Sequence, residues 1–240
     1  TDGAAAGTAA IAAGGFCAAA LVLPGVAVPA PIGACACAMS GACLGFLAHN
    51  WPRARIYLGD NGSLFIGFTL AALAFCVRWS PHPLHAAAVP AALMTAPLLD
   101  LGLATLLRWR RGDIATIRDA IVYCGHDHIA HRFQAFGLSP AQSSAALWGI
   151  GAISAAAAVA LAAAPSETFF LLVLAGHALF VVATSALLAR APLGGECRPR
   201  AGRKLARAYA VRTIAALGNP APSPLAPLSG PPAASRAVAA

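Results

Sequence analysis

Long apolar segments alternate with short polar connectors along the chain. No Asp, Glu, Lys or Arg occurs between Asp2 and Arg53, and none occurs between Arg132 and Glu167. About 20 apolar residues cross a hydrocarbon core of about 30 Å, so each gap has room for one or two membrane helices. Together with the Pro and Gly breaks, the pattern predicts six spans. They cover roughly 4–23, 32–48, 64–77, 86–107, 145–164 and 169–189.

The expected fold is therefore all-α: a polytopic bundle of transmembrane helices whose cytoplasmic loops form the functional site. The composition agrees, because 59% of the residues are hydrophobic and only 10% are charged, whereas soluble domains carry about 25% charged residues. A soluble globular protein is excluded on this ground. We expect a membrane domain over 1–190, a basic tail over 191–217, and a disordered Pro- and Ala-rich tail over 218–240.

The basic residues lie almost entirely on one side of this arrangement. Two occur in 49–63, five in 108–144 and eight in the segment from 190 onward, whereas Arg78 stands alone on the opposite side. The positive-inside rule predicts that the basic side is cytoplasmic. The basic tail is interpreted as a contact with anionic lipid. Nothing else in the sequence supports nucleic-acid binding, so no nucleic-acid partner is expected.

The connector between the second and third spans contains the run Gly59-Asp60-Asn61-Gly62-Ser63. Glycines on both sides of Asp60 permit backbone turns that a β-carbon would obstruct. The carboxylate then lies at the mouth of a helix, where a phosphate and a hard cation can approach. Mg²⁺ takes one or two carboxylates and completes its shell with phosphate oxygens and water. The alternative is an Asp-Asn-Gly turn, with Ser63 as the N-cap of the third span.

A second polar cluster precedes the fifth span. His128 and His131 are three residues apart and share one helix face, with Arg132 alongside. Imidazoles and a guanidinium suit a diphosphate. The alternatives are contact with lipid headgroups, or a zinc site that also uses His126. Asp100 lies within the fourth span, where a carboxylate is expensive and usually functional; a structural ion pair or hydrogen bond is its alternative.

Two motifs carry a family resemblance. The pattern N-x-x-x-A-R-I-Y-x-G-D-x-G-S-L begins at Asn50, and D-H-x-x-H-R begins at Asp127 and is followed by a G-L-S. Over roughly 1–190 the chain resembles the polyprenyl-phosphate N-acetylhexosamine-1-phosphate transferases (glycosyltransferase family 4). This membrane superfamily includes the phospho-N-acetylmuramoyl-pentapeptide translocase and the undecaprenyl-phosphate GlcNAc-1-phosphate transferase. The chain departs from the family at Arg53, where proline is usual, and at Ala130, where the middle histidine is missing.

The resemblance implies an enzyme, a Mg²⁺-dependent phosphoglycosyl transferase, for which Mn²⁺ is an alternative metal. Such an enzyme transfers N-acetylhexosamine 1-phosphate from a UDP-sugar to polyprenyl (undecaprenyl) phosphate and releases UMP, in cell-envelope glycan biosynthesis. It implies catalytic roles for Asp60, Asp2, His128 and His131, the two aspartates also holding the metal. Substrate contacts are implied for a second set: Asn50, Gly59, Gly62, Ser63, Asp100 and Arg132. The implied location is the bacterial inner (plasma) membrane, with a cytoplasmic active site. A homodimer is left open.

The first seven residues, TDGAAAG, resemble the end of a longer family motif, and the family's Asp-Asp pair lies in spans further upstream. We therefore expect the isolated chain to be incomplete and inactive. We also expect its first span to lack packing partners, with Gly3, Gly7, Gly14 and Gly15 facing lipid. The rival hypotheses are a non-catalytic scaffold or decayed fragment, and a transporter in which Asp100 lines a pathway.

Overall fold

The computed structural model describes residues 2–22, 29–122, 125 and 127–192, and within these ranges the chain forms helices and no strand. This confirms the all-α prediction. The tails predicted over 191–217 and 218–240 lie outside the described residues, except for residues 191 and 192. The described helices are α1 (Ala4–Val22), α2 (Ala30–Asn50), α3 (Gly59–Cys76), α4 (Pro83–Leu93), α5 (Thr95–Arg111), α6 (Ile117–Val122), α7 (Ile129–Ala135), α8 (Pro140–Ala162) and α9 (Glu167–Ala189).

Five of the described helices, α1, α2, α3, α8 and α9, are long and apolar enough to cross a membrane, and α4 with α5 makes a sixth span if the pair counts as one. The prediction of a multi-pass membrane protein is confirmed. The fourth span is not one straight helix, however, because its two halves meet at an angle of 83°. Met94 leaves the helical conformation there, with φ −94° and ψ 11°. Pro97 has no N–H to donate to the carbonyl of Leu93, so the helical hydrogen bond across the break cannot form.

The prediction that Ser63 caps α3 is wrong. The helix begins at Gly59, one turn earlier, and Leu58 occupies the N-cap position. Gly59 has a φ of +64°, which a glycine adopts without strain, so the chain can enter the helix there. The Ser63 hydroxyl instead donates to the backbone carbonyls of Gly59 and Asp60, each at 3.0 Å. Asp60 therefore lies in the first turn of α3, where the helix N-terminus favours a carboxylate.

Among the described helices, the most extensive packing is that of α1 against α2 and against α8. The expectation that the glycines at this end of the chain face lipid is wrong for Gly3, which is buried against Trp51, and for Gly7 and Gly15. A β-carbon at Gly7 would lie 2.2 Å from the Trp148 ring, and one at Gly15 would lie 2.7 Å from the Leu93 side chain. Small residues are what allow these helices to approach closely.

Hydrogen bonds gather the start of α1, the end of α2 and the start of α8 at one end of the bundle. The Gly3 N–H donates to Asn50 Oδ1 at 2.8 Å. The Ser144 hydroxyl donates to the Asp2 carbonyl at 2.7 Å, and Trp148 Nε1 donates to the Gly3 carbonyl at 3.2 Å. This is the end at which α3 begins and α5 ends, so the structure collects both polar motifs at one face. We call it the basic end.

Candidate active site

A cavity of about 400 Å³ opens among α1, α3, α5, α7 and α8 at the basic end. Its polar lining groups include Ser63, Asp100, His128 and His131. The remaining wall is mainly apolar, and it includes Ala5, Ala9, Ile66, Leu70, Ala96 and Pro97. The cavity therefore joins a small polar patch to a hydrocarbon-like wall, a combination that suits an amphiphilic ligand.

The structure brings Asp100 and His128 into direct contact. Asp100 Oδ2 lies 2.9 Å from His128 Nδ1, and Asp100 Oδ1 accepts the Ile129 N–H at 2.6 Å. The hydrogen bond that His128 donates to the Asp100 carboxylate raises the pKa of His128 above its ordinary value, although burial opposes the rise. Because the carboxylate occupies Nδ1, the proton on that nitrogen is fixed and the ring is oriented. Asp100 thus lines the cavity and also makes the hydrogen bond that the structural alternative anticipated.

Arg132 does not join the histidines at the cavity. Its side chain is buried, and its Nε donates to the Asp127 carbonyl at 2.9 Å. Its Nη1 donates to the Leu188 carbonyl, at the end of α9, at 3.3 Å. The prediction that Arg132 lies alongside His128 and His131, facing a diphosphate, therefore does not match the structure. His128 is the N-cap of α7 and Arg132 lies in its last turn, so the guanidinium turns inward to secure α7 to α9.

A buried cluster of charged residues, formed by Asp127, Arg108 and Arg111 next to His128, was not anticipated from the sequence. Asp127 is 1% exposed and accepts from Arg108 Nε at 3.0 and 3.1 Å, from Arg108 Nη2 at 2.5 Å, and from Arg111 Nη2 at 2.9 Å. Burial alone would raise the pKa of Asp127, but the two guanidiniums outweigh it and lower that pKa below its usual range. The signal available in the sequence was an Asp inside the histidine motif and two arginines one helical turn apart.

Asp60 is exposed on the first turn of α3, one turn before the cavity-lining Ser63. Among the described residues, none donates a hydrogen bond to its carboxylate. Gly62, the second glycine of the motif, packs against Leu58: a β-carbon there would lie 2.8 Å from the Leu58 side chain. The run around Asp60 thus fixes where α3 begins and leaves the carboxylate open.

Asn50 and Asp2 both hold the connector between α2 and α3. Asn50 is 8% exposed; besides accepting from Gly3, its Nδ2 donates to the Ile56 carbonyl at 2.7 Å. Asp2 Oδ2 accepts the Ala54 N–H at 3.1 Å. Both side chains therefore hold the backbone of the connector between α2 and α3 in place. Asn50 acts on the site indirectly, through this connector, which leads to Asp60.

No group of three or more His, Cys, Asp or Glu side chains within the described ranges could hold a metal ion. His126, the third histidine of the zinc alternative, lies outside those ranges. Magnesium needs only one or two protein carboxylates when phosphate and water complete its shell. The open Asp60 carboxylate fits that requirement, and Asp2 retains one oxygen beyond its contact with Ala54.

His177 is a second residue that the sequence reasoning missed. Its Nε2 lies 3.0 Å from Thr95 Oγ1, at the start of α5, and Thr95 also donates to the Ala91 carbonyl at 3.1 Å. The imidazole of α9 therefore contacts the break between α4 and α5. An ionisable residue in the middle of a predicted span was the available signal.

The fold and the cavity define a multi-pass helical membrane protein with a polar site at one end of its bundle and an apolar cavity leading from it. Residues 1–78 match the model of the family described as glycosyl transferase family 4. This segment contains α1, α2, the Asp60 motif and α3.

Similar proteins have been named in several bacteria. The decaprenyl-phosphate N-acetylglucosaminephosphotransferase of Mycolicibacterium smegmatis is 32% identical over 171 residues, which is 66% of this chain and 40% of that protein. A Bacillus subtilis protein, named "Probable undecaprenyl-phosphate N-acetylglucosaminyl 1-phosphate transferase", is 31% identical over 50% of this chain and 32% of its own length. The phospho-N-acetylmuramoyl-pentapeptide-transferase of Nostoc punctiforme is 52% identical over 30% of this chain and 19% of that protein.

These matches confirm the family resemblance. The chain is related to the polyprenyl-phosphate N-acetylhexosamine-1-phosphate transferases, and it spans well under half the length of the curated relatives described above. No solved structure matches the chain at a significant level.

Proposed function

We propose that the chain belongs to an enzyme that transfers N-acetylhexosamine 1-phosphate from a UDP-sugar to a polyprenyl phosphate and releases UMP. The observation that carries the proposal is the cavity, in which His128, His131 and Ser63 meet an apolar wall. A polyprenyl phosphate has the same division, with a dianionic head and a hydrocarbon chain. The names of the relatives, which specify undecaprenyl or decaprenyl phosphate, agree with this ligand class.

The residues of the cavity have distinct tasks in this proposal. Protonated His128 donates to a phosphate oxygen, and Asp100 keeps the ring oriented and charged. Ser63 adds a hydroxyl one helical turn from Asp60. Phosphoryl transfer depends mainly on positioning and charge neutralisation, so a cationic imidazole held in place by a carboxylate is an appropriate group for it.

Asp60 would hold Mg²⁺, with Asp2 as the second candidate ligand. When bound, the ion would neutralise charge on the phosphates and on the leaving UMP. Asp60 is suited to this task because its carboxylate is open and lies at the start of a helix. The clustering of basic residues around the site supports a cytoplasmic active site in the bacterial inner membrane.

The test is Asp60→Asn in the native membrane-embedded protein, assayed by UMP release from UDP-sugars with polyprenyl phosphate and Mg²⁺. The change keeps the size of the side chain and removes its charge, and we expect a loss of about 10²–10³ in rate or more. Asn61→Ala is the matched control, because Asn61 is the adjacent exposed residue and is not part of the glycine-aspartate signature. If Asp60→Asn keeps more than about a tenth of the rate, Asp60 only supports the helix start.

A second variant tests the departure from the family at Ala130. This residue lines the cavity and is 8% exposed. Ala130→His should therefore leave the rate of UMP release within about threefold of the parent's, because His128 and His131 already supply the cationic groups. A large increase would show that the missing histidine limits the reaction.

A further inference from the structure

Two cysteines meet between α1 and α2, away from the basic end. Cys17 Sγ lies 2.7 Å from Cys37 Sγ, and it also lies 3.5 Å from the Gly33 carbonyl. Cys17 is half-buried and Cys37 is exposed. The two sulfur atoms are closer than non-bonded sulfur atoms pack, so a small adjustment of side-chain torsions would bring them to the bonding distance of about 2.0 Å.

The pair lies toward the same end of both helices. Cys17 lies five residues before the end of α1, and Cys37 lies seven residues after the start of α2. At about 1.5 Å per residue, the two thiols are about 8 and 10 Å from their helix ends. At that depth the two thiols lie within the hydrocarbon core of about 30 Å, in the half of the bundle opposite the basic end, where a small membrane-permeant disulfide can reach them. By the positive-inside rule this half is the outer one.

Cys35 provides an internal comparison. It is exposed on α2, two residues before Cys37. Residues two apart on an α-helix point about 200° away from one another, so a partner of Cys17 at position 37 cannot be replaced by one at position 35 without rotating the helix.

We propose that Cys17 and Cys37 are a redox-active pair that closes to an interhelical disulfide by exchange with an external disulfide. The Cys37 thiolate attacks the external disulfide, which forms a mixed disulfide and releases one thiol. The Cys17 sulfur then attacks the Cys37 sulfur, its proton passes to the departing thiolate, and the second thiol is released. Two protein thiols are oxidised and one external disulfide is reduced to two thiols. The bond links α1 to α2 at the end opposite the Gly3–Asn50 hydrogen bond, so the helix pair becomes fixed at both ends.

The test uses the full chain with only Cys17 and Cys37 retained: Cys35, Cys76, Cys124 and Cys197 become serine, and the buried Cys43 becomes alanine. The purified protein is mixed with one equivalent of 2,2′-dipyridyl disulfide, a membrane-permeant aromatic disulfide. We expect two equivalents of pyridinethione per protein and a mass lower by two hydrogen atoms. The oxidised form should also melt a few degrees above the reduced form.

The matched control retains Cys17 and Cys35 instead. It should release one equivalent of pyridinethione and keep one pyridylthio group, because the second exchange cannot occur. A pyridylthio group that persists on the protein with Cys17 and Cys37 would overturn the proposal. As a measurement free of substitutions, the unaltered protein is oxidised in native membranes and its peptides are mapped. Failure to find the Cys17–Cys37 linkage there would overturn the proposal equally.

Discussion

At the scale of single residues, the site depends on pairs of opposite charge that lie at different depths. His128 and Asp100 meet at the cavity, with half of the His128 side chain exposed, whereas Asp127 and Arg108 meet almost completely out of water. An exposed pair adds little stability and can respond to pH, while a buried pair stabilises only if both partners remain. The first pair therefore suits a ligand-responsive role and the second suits a structural one.

Asp100→Asn tests the first pair through its pH dependence. Asp100 raises the pKa of His128. The stabilisation from the pair is thus fully present below the unfolded pKa of about 6.5, and it is lost as pH rises through the higher folded pKa. We expect Asp100→Asn to lower stability by about 1 kcal/mol at about pH 5.5, and by less at about pH 9, because the half-exposed imidazole is partly screened. Thermal unfolding in detergent across this range measures the difference.

The control for that experiment is Asp113→Asn. The Asp113 carboxylate lies 3.3 Å from Arg111 Nε, and arginine does not titrate in this range. Its effect on stability should therefore not vary between about pH 5.5 and about pH 9. A pH-independent effect of Asp100→Asn as well would show that the hydrogen bond to the Ile129 N–H, rather than the charge on His128, accounts for the role of Asp100.

Asp127→Asn tests the buried cluster. The amide cannot balance Arg108 and Arg111, and Arg108 is only 5% exposed. Leaving a buried guanidinium without its carboxylate typically costs about 3–5 kcal/mol. We expect the melting temperature to fall by roughly ten degrees or more. Arg110→Gln, which changes an exposed residue on the same turn, should change the melting temperature little. Equal melting temperatures for the two variants would contradict a structural role for the cluster.

At the scale of elements, hydropathy and charge predicted the spans because each depends on local sequence. The break in the fourth span was harder to locate. Pro90 lies inside α4, which remains helical around it, and the break comes four residues later at Met94. Proline alone does not determine where a helix bends, because neighbouring helices decide which freed backbone groups can be satisfied. The contact between Thr95 and His177, 82 residues apart, is not readable from spacing.

The functional site shows the same contrast between features that depend on neighbouring residues and features that depend on residues far apart in the sequence. Placing His128 and His131 at one cavity needed only their spacing of three residues. The inward turn of Arg132 depends on Leu188, 56 residues away. The role of Asn50 in holding the connector between α2 and α3 depends on its hydrogen bond with Gly3, 47 residues away. Sequence reasoning therefore located the polar motifs, and the structure was needed to separate ligand-facing side chains from those that hold backbone.

The packing of α1 against α8 is tested by two glycines on the same helix. Gly7→Ala would place a β-carbon 2.2 Å from the Trp148 ring, whereas Gly14→Ala would place one at an ordinary 3.5 Å from Ser40 Oγ. Overpacking of this kind costs about 1–3 kcal/mol. We expect Gly7→Ala to lower the melting temperature in detergent by several degrees and Gly14→Ala to leave it nearly unchanged. Similar melting temperatures would show that α1 and α8 can separate without cost.

At the scale of the whole molecule, chemistry and positive charge share one end of the bundle. The connectors with Asp60, His128 and His131 lie there, with Arg53, Arg55 and the arginines of α5 and α6. Among the arginines that the structure describes, Arg78 is the exception at the opposite end. A soluble nucleotide sugar reaches the site only from the side of the membrane on which this end lies. The orientation of the bundle therefore decides whether the proposed reaction has a substrate.

Labelling of single cysteines tests that orientation. In a background without native cysteines, Pro81→Cys lies in the connector before α4 and Arg55→Cys in the connector before α3, and both positions are exposed. Because positive charge is retained inside, a membrane-impermeant maleimide applied to intact cells should label position 81 and spare position 55. Position 55 should become labelled once the cells are permeabilised, which shows that the residue is reactive. Labelling of position 55 in intact cells, with position 81 protected, would place the cavity on the outer face. UDP-sugars could not reach it there, and the proposed transferase activity would be untenable even if the fold were correct.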